Sequence, residues 1–395
     1  MKNELACLAA LLAVLLCWPL AAPGQVDQGQ PAAASPAKPG ASPQRLSANP
    51  AGSPYPDATA GSMTLDVVVS NAAGTPVSGL QPEDFTLLDN GQQQGIVSLR
   101  SVNGMKGKTD PPVEVIFLID AINSPFQTVA SDRQWLSAFF KENGGELALP
   151  TSLVILTDYG INLQSRPTRD GKDLHRFLDA NPSGLWSIKR SQGAQGRLDR
   201  EYSSLGALDV LAQRLSEKPG RKLLIWLSHG WGVISNPGWI GGEKDREAIY
   251  GTIASVSTEL RKARITLYCV SPYGGFGRDE GYVKYLKGVY DSSHADLGDL
   301  LLPVLATQTG GQVPYGGNDL GPIIDRCIKD AQSFYVLTFN PPPAAHSNEY
   351  HRIEVRVDKP GLSVRTRAGY YANPTAPEEP SLSNAPLETA QVSSE

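Results

Sequence analysis

Four cysteines among 395 residues are too few for a disulfide-dense scaffold. Charged residues make up 19%, and 35 Lys and Arg stand against 40 Asp and Glu. That slightly acidic balance speaks against a basic nucleic-acid binder and against a polybasic membrane-surface protein. Long apolar runs are also scarce. Leu8–Ala22 is the longest, and 15 residues fall short of the roughly 20 that span a bilayer. No Gly-x-Ser-x-Gly elbow occurs, and neither Gly241-Gly242 nor Gly274-Gly275-Phe276-Gly277 has Gly-Lys-Ser/Thr or the dinucleotide spacing.

The apolar run, Trp18-Pro19 and the small residues through Gly24 read as a secretory signal over residues 1–24. The chain is therefore expected to be exported, to the periplasm or beyond. Removing that segment removes Cys7 and Cys17, leaving Cys269 and Cys327. An oxidising compartment permits one bridge between them, and two buried thiols are the simpler reading. Residues 25–61 are rich in Pro, Ala, Ser, Gly and Gln, with Tyr55 as their one aromatic. Such a stretch buries too little apolar surface to offset its ordering entropy and reads as a linker. Residues 373–395 have the same character and read as a disordered tail.

Between these ends the composition gives three blocks. Residues 62–110 carry strand-like runs at Met63–Ser70, Phe85–Leu88 and Gly95–Leu99, the last two around Asp89-Asn90-Gly91. Residues 111–332 alternate strands and helices, the pattern of a parallel α/β sheet. Val113–Ile119, ending in Asp120, suits a buried central strand. Further strands are expected at Ser152–Leu156, Lys222–Leu227, Ile265–Val270 and Gln312–Pro314, with an edge strand over Ile161–Gln164. Helices are expected over 129–141, 170–179, 204–216, 245–263, 297–307 and 320–332. Residues 333–372 return to strands at Phe334–Phe339, His351–Val357 and Leu362–Arg367. Each flanking β block is about 40 residues, too small for a core of its own. The two are expected to pair into one β-sandwich with the α/β domain inserted between them.

Four stretches carry a family resemblance: Gly79–Phe85 with Asp89-Asn90-Gly91, Phe117–Phe126, Gly220–Ser228, and Arg365-Thr-Arg-Ala-Gly-Tyr-Tyr371. In this order and spacing the chain resembles the von Willebrand factor type A (VWA)-related proteins abundant in Acidobacteria, over about residues 63–372. The resemblance implies a Rossmann-like, mostly parallel sheet acting as a binding module, with its ligand site at the C-terminal ends of the strands. The same placement is the rule for open parallel sheets.

The resemblance also implies three metal-holding loops. Where the family has Asp-x-Ser-x-Ser, this chain has Asp120-Ala121-Ile122-Asn123-Ser124, with Ile122 in place of the middle Ser. The Thr of the second loop has Ser203 or Ser204 as its counterpart. The Asp of the third is replaced by Ser228-His229. Mg²⁺ wants an octahedron of oxygens with one or two carboxylates, and here one carboxylate remains. An Asp120–His229 pair suits Mn²⁺ or Zn²⁺ better, but two protein ligands make a poor zinc site. The ligand count therefore favours a metal-free cluster in which Asp120 caps local backbone N–H groups. Ser228, His229 and Asp120 do not make a hydrolase triad on spacing alone, because a triad is defined by geometry.

Trp231 and Trp239 follow the Lys222–Leu227 strand, and Tyr273 and Phe276 follow Ile265–Val270. With Asn123 they are candidates for a partner-binding face. The competing reading packs these aromatics as a small core under the loops. Arg190–Arg200 reads as a solvated basic loop. His175, His294, His346 and His351 lie far apart and are expected at the surface. The functional expectation is an exported, non-catalytic module for a protein or cell-surface partner, with a degenerate metal site. The alternatives are a metal-dependent adhesion module and a structural component of an envelope assembly.

Overall fold

A computed structural model describes residues 61–103, 113–182, 193–228, 230–231, 242–271, 280–314 and 320–374. The signal, linker and tail readings fall outside these residues, apart from the last residue of the linker and the first two of the tail.

The centre of the molecule is a sheet ordered β10-β9-β5-β6-β7, with β8 also on β6. Here β5 is Val113–Asp120, β6 Glu146–Thr157, β7 Gly160–Leu163, β8 Thr168–Asp170, β9 Arg221–Leu227 and β10 Ile265–Val270. The pairs β5–β6, β5–β9 and β9–β10 are parallel, whereas β7 and β8 run antiparallel to β6. Every residue of β5 is buried, as a strand covered on both faces must be.

Alternation along β5 assigns its residues to two cores. Ile116 and Leu118 join a cluster with Leu208 and Leu211 of α3 (Gly193–Ser216), Ile253 of α4 (Glu243–Lys262) and Leu305 of α5 (Leu302–Gln308). Val115, Phe117 and Ile119 face the other way. They meet Leu136 of α1 (Phe126–Phe139), Leu174 of α2 (Gly171–Ala180) and Ile324 of α6 (Leu320–Lys329). Burying a Leu or Ile side chain contributes about 1.5–3 kcal/mol, so these two layers dominate the stability of the α/β part.

The chain leaves β5 towards β6 and then returns past it to β9. The carboxyl ends of β5 and β9 therefore form a topological switch point, and Asp120 and Ser228 stand there.

The flanking blocks form two further four-stranded sheets, β13-β1-β11-β4 and β14-β12-β2-β3. The N-terminal block supplies β1 (Met63–Asn71), β2 (Phe85–Asp89), β3 (Gln92–Gln94) and β4 (Ile96–Val102). The C-terminal block supplies β11 (Phe334–Phe339), β12 (Glu349–Val357), β13 (Leu362–Arg365) and β14 (Gly369–Ala372). Each sheet thus mixes strands from both blocks. Leu65 and Val67 of β1, Leu87 of β2, Leu337 of β11 and Ile353 of β12 share one hydrophobic cluster. Arg365 of β13 pairs with Asp330, which also accepts from the Tyr268 hydroxyl at 2.6 Å, and Arg221 donates to the Asp330 carbonyl at 2.9 Å. Those bonds tie the flanking strands to the α/β part.

Several expectations are corrected. Gln312–Pro314 is not a strand. It contributes one backbone bond, from Cys269 N to Gln312 O at 3.1 Å. The helix expected over 297–307 divides into a 3₁₀ turn at Leu297–Leu300 and α5, because Pro303 in the first turn of α5 has no N–H for the turn before it. Arg197 and Arg200 lie on α3 and not in a loop. His351 is buried at 3% exposure, with Nδ1 2.8 Å from Asp89 Oδ1 and its ring stacked on Tyr370. Cys269 and Cys327 are both buried and unbridged, and burial raises both thiols well above their ordinary range.

Candidate functional site: the polar centre at the end of β5

Asp120 is the last residue of β5 and is completely buried. Its backbone continues into a tight loop, where Oδ1 accepts from the N–H groups of Ile122 at 3.2 Å and Asn123 at 2.9 Å. Asp120 thus caps the loop and not the helix, since α1 begins only at Phe126. Its other oxygen, Oδ2, accepts from three side chains: Asn123 Nδ2 at 2.8 Å, Trp226 Nε1 at 2.9 Å and Ser228 Oγ at 2.8 Å.

The network extends in two directions. Asn123 Nδ2 also donates to Ser204 Oγ at 2.8 Å, and that hydroxyl donates to the Arg200 carbonyl at 2.8 Å, one turn back on α3. Ser228 Oγ accepts from Gly230 N at 2.9 Å and so holds the loop leaving β9. The loops leaving β5 and β9 are therefore fastened to one carboxylate, and Asn123 links them to α3.

A divalent metal at this centre fits badly. A carboxylate offers about four lone-pair positions, and five donors already converge on Asp120. Ile122 is 1% exposed and packs into the core with Leu118, so its backbone reaches the site and its side chain does not. Among the described residues no group of three or more His, Cys, Asp and Glu side chains is placed to hold a metal ion. Ser228 is also fully buried, which leaves its hydroxyl out of reach of a substrate.

The expected site residues fare differently. Asp120, Asn123 and Ser204 meet directly. Ser124 is fully buried nearby in the chain. Ser203 turns away, donating to the Asp199 carbonyl at 2.7 Å. Trp231 is not a surface anchor: it is 2% exposed, lies edge-on against Trp226 with centroids 4.4 Å apart, and donates to the Leu300 carbonyl at 3.2 Å. Its ring belongs to the same core as Leu118, Leu208 and Trp226. His229, Trp239, Tyr273 and Phe276 lie outside the described residues.

Three residues were not singled out by the sequence. Trp226 supplies a donor from within β9. Its place in the alternation, level with Leu118, assigns it to a face but not to Asp120. Asp132 sits on the buried stripe of α1 with Thr128, Val129 and Leu136, a carboxyl on the apolar side of a helix. Neither Asp132 oxygen has a hydrogen-bond partner among the described residues. Burial, with the Asp120 charge as a second cause, pushes its carboxyl up to about 7. Tyr159 lies two residues beyond the end of β6 and is fully exposed.

The fold and site together define a mixed α/β protein with a closed polar centre at the switch point of its parallel sheet. No family model matches the chain, and no curated protein matches it. Among solved structures, the human COPII-coat protein Sec24c is similar with a TM-score of 0.32 and 9% identity, over 70% of this chain and 46% of that one. The chain thus spans less than half of Sec24c. The SpRpn10 VWA domain is similar with a TM-score of 0.23 and 12% identity, over 40% of this chain and 74% of that one.

Proposed function

We propose that the chain is an exported, non-catalytic interaction module of the VWA-related kind, which engages a protein or cell-surface partner through loops at the C-terminal end of its parallel sheet. The observation that carries this reading is the placement of two bare aromatics. Phe126, 49% exposed, begins α1 six residues after Asp120. Tyr159 follows β6, whose Leu156 is in register with Asp120. Large rings standing in solvent beside a rigid centre are the side chains that anchor interfaces.

In this reading Asp120 serves the partner indirectly. It keeps the loops leaving β5 and β9 in one geometry against α3, so that little ordering entropy remains to be lost on binding. The adhesion-site metal has been replaced by the donors of Trp226, Ser228 and Asn123. Residues 1–24 direct export, residues 25–61 space the folded part from a surface, and residues 62–110 and 333–372 fold as one composite β-sandwich around the 111–332 domain. No helix among the described residues is long and apolar enough to cross a membrane.

The test is site-specific photo-crosslinking in the producing cell, with a benzophenone side chain at position 126 or 159. The control position is Val97, which is 54% exposed on β4 of a flanking sheet. One discrete adduct from 126 and 159 that is absent from 97 supports the reading. Equal yields at all three positions, or none at 126 and 159, overturns it.

A further inference from the structure

At the end of the central sheet where β10 begins, away from Asp120, a small cleft is lined by Arg261, Arg264 and Arg367 together with Thr64, Thr266, Thr309, Thr366, Asp66 and Ile265. The three guanidinium groups come from different places. Arg261 is in the last turn of α4, Arg264 precedes β10, and Arg367 lies between β13 and β14. Asp66 of β1 is the one carboxylate in the lining, and Arg264 takes it as an ion pair.

Two cations are left over. Arg367 is 8% exposed, and its hydrogen bond is a long one, 3.4 Å from Nη1 to the Gly369 carbonyl. Arg261 has a buried Nε without a hydrogen-bond partner among the described residues. Burial, and then repulsion from Arg261, brings the Arg367 guanidinium down to about 9. Burial lowers Arg261 as well. Buried charge is tolerated when it is paired, and an orphaned buried donor calls for a partner. The Thr309 and Thr366 hydroxyls donate to the Ala306 and Asp66 carbonyls, so the donors left to an anion are the guanidinium N–H groups with the Thr64 and Thr266 hydroxyls. The cavity volume of about 20 Å³ admits one buried atom of about the size of a water oxygen.

We propose that the Arg261–Arg264–Arg367 cleft binds a small inorganic anion, either a halide or one oxygen of an oxyanion that enters from solvent. The anion neutralises the two surplus guanidinium groups where α4, the start of β10 and the flanking strands β1 and β13 meet. It thereby joins the β blocks to the α/β part. This site is independent of the partner-binding face.

Thermal unfolding of the full chain tests the proposal, with chloride, sulfate or phosphate titrated against gluconate at constant ionic strength. Gluconate, whose carboxylate sits on a bulky hydroxylated chain and binds guanidinium groups more weakly than sulfate or phosphate does, serves as the reference. The expected result is a saturable rise of the midpoint, about 2–4 °C, for at least one small anion. Response to chloride alone assigns a halide, and response to sulfate or phosphate assigns an oxyanion. The rise disappears in Arg261→Gln, whose half-exposed helix position tolerates the change. A rise that is linear in concentration, as general salt exclusion gives, or that survives in Arg261→Gln overturns the proposal. Arg367→Met gives a second reading. In gluconate its midpoint is expected to lie above that of the unaltered chain, because an uncompensated charge is gone. A lower midpoint there contradicts the surplus-charge argument.

Discussion

Replacing Asp132 by Leu is expected to stabilise the protein, and to do so more strongly at pH 8 than at pH 5. Asp132 is fully buried, its oxygens have no hydrogen-bond partner among the described residues, and the Asp120 charge is close. Its carboxyl is raised from 3.8 to about 7. The sign follows from proton counting. Between about pH 4 and 7 the folded state holds a proton at Asp132 that the unfolded state has released, so stability falls as pH rises through that window. At about 1.4 kcal/mol per pH unit, the gap corresponds to about 4 kcal/mol of penalty above pH 7 and little below pH 4. Denatured-state effects make that an upper figure. Leu carries no titrating group, branches at Cγ as Asp does, and suits the Val129–Leu136 stripe; the packing cost of its larger volume is the same at both pH values and cancels from the difference. Urea unfolding of both proteins at pH 5 and pH 8 checks it. The stability difference should widen by roughly 2–4 kcal/mol between the two conditions, with m unchanged. A difference that is the same at both pH values would refute the reasoning, since it would mean that Asp132 is not held protonated by its surroundings.

Three further outcomes follow from the packing. Trp231→Ala should cost about 3–5 kcal/mol in urea unfolding, because it empties the space against Trp226 in the α/β core. A cost under about 1 kcal/mol would return Trp231 to the surface. Arg365→Met should cost about 3–5 kcal/mol by the same assay, since it leaves the buried Asp330 carboxylate without its cation. Gly310→Ala should lower the thermal midpoint by several degrees, because φ is +84° and an added Cβ would come within 2.7 Å of the Thr366 backbone.

The central strands were legible because burial on both faces leaves a plain mark: Val-Glu-Val-Ile-Phe-Leu-Ile before Asp120 reads as a central parallel strand from composition alone. Six of the eight flanking strands were legible from alternation, but β3 and β14 were too short to show, and β4 pairs with β11 instead of with β2 across the Asn-Gly turn. The helix over 297–307 was misread because the periodicity continues through Pro303, and only the missing N–H reveals the break. The site was half legible. A carboxylate at the end of a central strand announces itself, as does the apolar Ile122 two positions beyond it. What Asp120 binds instead depends on Trp226 and Ser228, more than 100 residues away, whose reach is set by register and not by local pattern. Trp231 shows the same limit. A tryptophan in a Gly-rich loop is equally suited to an interface and to a core, and the path of the loop decides between them.

The claim on which the account depends most is that Asp120 is held by protein donors and not by a metal. The most direct test is thermal unfolding after chelation, with Mg²⁺, Ca²⁺, Mn²⁺ and Zn²⁺ then added singly at millimolar concentration. A native-state ligand at a hundredfold excess over its Kd would add about 2.7 kcal/mol, a shift of several degrees. A flat response to all four ions is expected. A midpoint rise with any one of them that disappears in Asp120→Ala would contradict it.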